Sequence, residues 1–163
     1  MFLDLDIDEV AEDLWVGRYP SSPEFVHTLA GQVGINSIVS IQTDLDFRLL
    51  GVNWPAMEGY LKRQRIAVAR VPISDFDERD LEKNMSEAVA AVHFFRATGH
   101  RVYLHCTAGL NRSPTVAVAY LVAHQRMDLD AAWSQVTTRR QCAPTRKVLE
   151  RWVKRNKESF ERG

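Results

Sequence analysis

A cysteine and an arginine stand six positions apart in the segment His105-Cys106-Thr107-Ala108-Gly109-Leu110-Asn111-Arg112-Ser113. A thiolate sulfur is a strong nucleophile, and a guanidinium is a permanent cation whose planar fork of donors matches two oxygens of a phosphate. Cys106 is therefore a candidate nucleophile, and Arg112 a candidate for holding an oxyanion and the charge of its transition state. The residues between them, Thr107, Ala108, Gly109, Leu110 and Asn111, are uncharged and mostly small, so successive backbone N–H groups can converge on a tetrahedral anion. The Ser113 hydroxyl is placed to donate to the sulfur when it leaves, and His105 to orient the loop through backbone hydrogen bonds.

Such a turn needs a strand before it and a helix after it. Arg101 to Leu104 reads as a short buried strand and Pro114 to Arg126 as a largely apolar helix, with Pro114 in its first turn. The helix dipole then adds positive potential at the turn, which favours both a bound anion and the thiolate form of cysteine.

Other segments supply the frame. Leu14 to Gly17 is expected to be a short edge strand, and Ser21 to Val33 a helix capped by Ser21 or Ser22 with Pro23 in its first turn. Asn36 to Gln42 and Ile66 to Ile73 read as strands. Apolar residues at three and four residue spacing between Asp80 and Thr98 mark an amphipathic helix, ended by Gly99. Asp128 to Arg139 and Thr145 to Phe160 complete the pattern as helices. This alternation implies an α/β fold with a mostly parallel central sheet flanked by helices on both faces, ligands binding where strand carboxyl ends meet helix amino ends.

The chain has 163 residues, 45% hydrophobic and 26% charged, with a formal net charge of zero. That balance suits one domain over residues 1–163 and provides no global basic field for nucleic acid or an anionic membrane. Two cysteines are too few for a disulfide framework, and neither zinc-ligand spacing nor a spanning apolar run is present. A reducing, cytoplasmic setting, a monomer, and no metal or cofactor are expected. The acidic amino-terminal segment resembles neither a signal nor a transit peptide.

His105 to Ser113 matches the H-C-x5-R-[ST] pattern, and on it the chain resembles the cysteine-dependent protein tyrosine and dual-specificity phosphatases. The resemblance implies their fold, hydrolysis of phosphate monoesters through a phosphocysteine, and an aspartate general acid on a loop about thirty residues before the cysteine. Asp75 lies 31 residues before Cys106 and takes that role, with Asp77 as the alternative and Asp80 as the cap of the following helix. Thr107 to Arg112 would bind phosphate. Segments from Leu14 to Phe47, with Ile73 to Leu81 and Arg139 to Pro144, look further like glucan phosphatase catalytic domains, the plant starch phosphatases and laforin. Asn111 replaces the second glycine of the usual glucan loop, and Ala143 and Leu49-Leu50 stand where those enzymes carry aromatics.

Phe76, Asp77 and Arg140 are candidate substrate contacts, whereas Asp44 and Asp46 read as a solvated loop. Cys142 pairs with Cys106 only if the fold brings them together. The expected substrate is a phosphorylated protein, glucan or small phosphoester. Competing readings are an inositol phosphate phosphatase, a catalytically silent phosphate-binding module, and a sulfur transferase or arsenate reductase using a similar loop.

Overall fold

The computed structural model describes residues 5–162; the ends of the expected 1–163 domain lie outside them. Among the described residues one five-stranded sheet runs in the order β1-β2-β5-β3-β4. Its strands are β1 (Ile7–Ala11), β2 (Leu14–Gly17), β3 (Ser37–Ser40), β4 (Ala67–Arg70) and β5 (Val102–His105). β1 is antiparallel to β2, and every other neighbouring pair is parallel.

β5 lies at the centre because its whole length, Val102-Tyr103-Leu104-His105, is buried, as is that of β3 beside it. Side chains alternate across this pair. Val39 and Leu104 face a core closed by α4 (Glu78–Ala97), α5 (Arg112–His124), α6 (Leu129–Arg139) and α7 (Arg146–Arg162). Ile38 and Tyr103 face the other core, closed by α1 (Pro23–Thr28), the wider turn Leu29–Val33 that continues it, and α3 (Trp54–Arg63). The expected architecture, with helices on both faces, is what the chain adopts.

Three local expectations change. Leu14–Gly17 is an interior strand, because β1 covers its outer side. β1 escapes a pattern reading because its register shifts between Glu9 and Ala11, which breaks the period-two alternation of a half-buried strand. Asp77, and not Asp80, caps α4: its side chain accepts from Asp80 N. Asp80 instead accepts from Ser74 N at 2.7 Å and ties down the loop before the helix.

The third change lies between β3 and β4. Residues 44–50 form helix α2 (Asp44–Leu50), enclosed by a Thr43/Asp46 capping box and by Gly51 at φ 69°. Asn53 then caps α3, with Pro55 in its first turn. Asp46 is thus half of a helix cap and not a solvated loop carboxylate.

Tyr103 connects sheet and site. Fully buried on β5, it donates its hydroxyl to Arg18 O, and burial pushes its phenol well above the ordinary value. Tyr103→Phe leaves that carbonyl without its donor and should cost roughly 1–2 kcal/mol in a urea unfolding experiment.

Candidate active site

Residues 106–111 form the turn between β5 and α5, so the sheet ends where the helix dipole begins. The carbonyls of this turn are all held from outside. Cys106 O lies 2.9 Å from His105 Nδ1, Thr107 O accepts from Tyr19 N at 3.0 Å, and Leu110 O accepts from Ala143 N at 2.7 Å. Arg140 donates to Ala108 O at 3.2 Å and to Gly109 O at 2.7 Å.

No peptide here is cis, and in a trans planar peptide the N–H points opposite to the C=O. Holding five successive carbonyls outward therefore turns the N–H groups of Thr107, Ala108, Gly109, Leu110 and Asn111 to the inner side of the turn. That is the donor array a tetrahedral oxyanion requires. Gly109 is obligatory within it: its φ is 68°, and a Cβ there would lie 2.4 Å from the carbonyl carbon of Gly17.

Cys106 is buried, with Sγ 3.2 Å from Ser113 Oγ. Arg112 is 2% exposed and uses its two edges differently. Nη1 donates to Asp46 Oδ2 and to Ile73 O, each at 2.8 Å. The other edge carries Nη2, 3.3 Å from Thr107 Oγ1, and Nε, 3.4 Å from Asp75 Oδ1. The Nε/Nη2 edge is the fork available to two phosphate oxygens.

Asp46 holds the arginine from behind. Burial pushes its carboxyl up, but the hydrogen bond from Arg112, the Thr43 N–H and the charge of Arg112 outweigh that and leave it below the ordinary value. Asp75 is exposed and reaches the same guanidinium from the loop before α4. The next residue, Phe76, is 98% exposed with φ at 59°, an uncommon conformation for a bulky side chain.

Several expected residues thus come together: Cys106, Arg112, Ser113 and Asp75 converge, and His105 sits behind the loop. Asp77 is occupied as a helix cap, and Leu110 turns an exposed side chain outward. The Asn111 side chain faces away from the inner side, donating to Ala143 O and Thr145 Oγ1, each at 2.8 Å. Arg140 is corrected from substrate contact to support. It is 2% exposed, engaged by the loop carbonyls and by Asp6 and Asp8, because the loop's backbone acceptors need an internal donor. Both cysteines are free thiols, and Cys142 donates to Arg140 O.

Sequence reading missed Asp46, Tyr19 and Gln42, whose Nε2 donates to Thr107 Oγ1 at 3.1 Å. Only Asp46 carried a signal, the Thr-x-x-Asp spacing of a capping box.

The model of the dual specificity phosphatase catalytic domain matches residues 23–157. The chain belongs to this family. It is 27% identical over 147 residues to the chloroplastic phosphoglucan phosphatase LSF1 of Arabidopsis thaliana, covering 90% of this chain and 25% of that protein. It is 31% identical over 144 residues to the amyloplastic phosphoglucan phosphatase DSP4 of Castanea sativa, covering 87% of this chain and 38% of that protein. The chain thus spans well under half the length of these curated relatives. Its fold resembles the crystal structure of Tk-PTP in the active form, with a TM-score of 0.75 at 22% identity, covering 94% of this chain and 97% of that one.

Two outcomes test this geometry. Asp46→Asn keeps the shape but removes the charge behind Arg112, and should lower kcat about tenfold on phosphoester substrates. His105 is held neutral by burial, which lowers its pKa to about 4. Between pH 6.5 and 4 the unfolded chain binds this proton and the folded chain does not, so stability falls as pH falls through that window. The contribution, of the order of 3 kcal/mol, should appear in urea titrations at pH 7 and pH 4.5 and be reduced in His105→Asn.

Proposed function

We propose that the chain is an active phosphatase that hydrolyses phosphate monoesters through a phosphocysteine. The observation that carries this reading is one turn that sets Cys106 Sγ 3.2 Å from Ser113 Oγ and ties its own carbonyls outward, beside an Arg112 whose Nε lies 3.4 Å from Asp75 Oδ1.

The phosphate oxygens are held by the loop N–H groups and by Arg112 Nε and Nη2. Cys106 sulfur, as thiolate, attacks phosphorus from the side opposite the ester oxygen. As the P–O bond breaks, protonated Asp75 gives its proton to the leaving oxygen and the alcohol departs. The Asp75 carboxylate then takes a proton from water as the water oxygen attacks phosphorus. The P–S bond breaks, the Ser113 hydroxyl donates to the departing thiolate, and inorganic phosphate is released.

For the substrate we favour a phosphorylated protein. Ala143 and exposed Leu49 and Leu50 offer sugar rings little stacking surface, and Arg140 is committed to the loop, unavailable to further phosphates of an inositol polyphosphate. A phosphoglucan is the second reading, favoured by the similarity to LSF1 and DSP4 over about nine tenths of the chain. A silent binding module would need neither the thiol nor the acid. A single-domain monomer in a reducing, cytoplasmic compartment, without nucleic acid or membrane as partner, completes the proposal.

Phosphate release from a phosphotyrosine peptide, p-nitrophenyl phosphate and solubilised amylopectin tests it. Cys106→Ser should abolish turnover of every substrate that the native chain hydrolyses; retained turnover would refute the phosphocysteine. Asp75→Asn should lower kcat on a phosphoserine peptide by about 10²–10⁴, and far less on p-nitrophenyl phosphate, whose leaving group needs little protonation. Amylopectin as the preferred substrate would replace the protein reading with the glucan one.

A further inference from the structure

We infer that the groove between α4 and α7 is a second recognition site, which binds an acidic segment of the phosphoprotein substrate several residues from the phosphorylated side chain. The inference rests on the phosphoprotein reading above.

The groove has a volume of about 760 Å³ and is walled by two short rows of cations. Arg79 and Lys83 stand one turn apart on α4, and Arg151 and Arg155 one turn apart on α7. Like charges at this spacing repel and disfavour both helices. Glu82 answers only one row, accepting from Arg151 Nε and Arg155 Nη2, each at 2.6 Å. Arg151 also has Glu78 at 3.9 Å. Arg79 and Lys83 are exposed, and no carboxylate of the described residues lies within ion-pair distance of either.

In a chain of zero net charge this is a local cationic excess, set in a recess and not on a flat face. The floor is rigid: Trp152 is 3% exposed and donates its indole N–H to Ser86 Oγ at 2.9 Å. A recess with one unanswered row, Arg79 and Lys83, suits an extended carboxylate-rich peptide, whereas the unphosphorylated stretches of a glucan carry no charge for it to meet.

Position ties the groove to the reaction. Arg79 is four residues from Asp75, in the first turn of α4. A smaller cavity of about 360 Å³ is lined by the catalytic arginine together with Phe76, Asp77 and Glu78, the residues that lead directly into Arg79. Its two carboxylates repel acidic side chains immediately beside the phosphorylated residue. The favoured acidic run therefore lies beyond the residues that directly flank the phosphorylated side chain.

The test uses the whole chain and two phosphotyrosine peptides with one common core. In one, a glutamate run begins about four residues from the phosphotyrosine on both sides; in the other, glutamine replaces each glutamate. The expected result is a KM about tenfold lower for the glutamate peptide in low salt, with kcat unchanged and the advantage lost in 0.5 M salt, where screening falls to roughly 4 Å. Arg79→Glu combined with Lys83→Glu should remove the preference while leaving p-nitrophenyl phosphate turnover unchanged, which also reports on folding. Arg79→Gln with Lys83→Gln should give an intermediate preference. Equal KM values, or a preference that survives charge reversal, would overturn the groove assignment alone. Hydrolysis of p-nitrophenyl phosphate but of neither peptide would overturn the phosphoprotein reading and the groove with it.

Discussion

The site depends on turning five consecutive carbonyls away from the space where an anion would sit. A backbone turn presents acceptors as readily as donors, and one carbonyl facing a phosphate would repel it. Each acceptor of residues 106–110 therefore has a partner on the outer side: a histidine ring, two backbone N–H groups, and two donors of a single buried arginine. Three remote parts of the chain supply them. Tyr19 follows β2, Arg140 ends α6, and Ala143 precedes α7. Much of the fold serves to bring these donors to one point, and Arg140 is fully buried for that reason, its charge answered by Asp6 and Asp8.

The architecture was legible because it rests on periodicity. The buried strand Val102–His105, the apolar helix from Arg112 and the amphipathic stretch of α4 each carry patterns that burial imposes locally. What was not legible depended on contacts between distant residues. Arg140 looked like a candidate substrate contact because nothing near it in sequence shows the carbonyls it must satisfy. β1 hid behind its register shift, and α2 is only seven residues long, too short for a helical period to stand out. At the site, the cysteine, arginine and serine were found by spacing along one turn. Tyr19 and Gln42 lack such a signal: Tyr19 acts through a backbone N–H that any residue could supply, and Gln42 through a side-chain amide whose partner is far away in sequence.

Asp46 and Asp75 show how burial divides two like groups between two tasks around one cation. Both carboxylates approach Arg112. Asp46, 12% exposed at the side chain, also accepts from Thr43 N and Oγ1, so its hydrogen bonds fix it in the charged form on the Nη1 edge. Such a group can orient the guanidinium but cannot readily exchange a proton. Asp75, 35% exposed, stands on the Nε edge in a loop whose next residue has positive φ. Among the described residues it accepts one hydrogen bond, the local one from Phe76 N. A carboxyl with one local tie is free of the fixed hydrogen bonds that hold Asp46, and it sits on the guanidinium edge that Asp46 and Ile73 leave open. Exchanging the two environments would leave the arginine without a fixed orientation and the loop carboxylate tied down by hydrogen bonds, although every residue type would still be present.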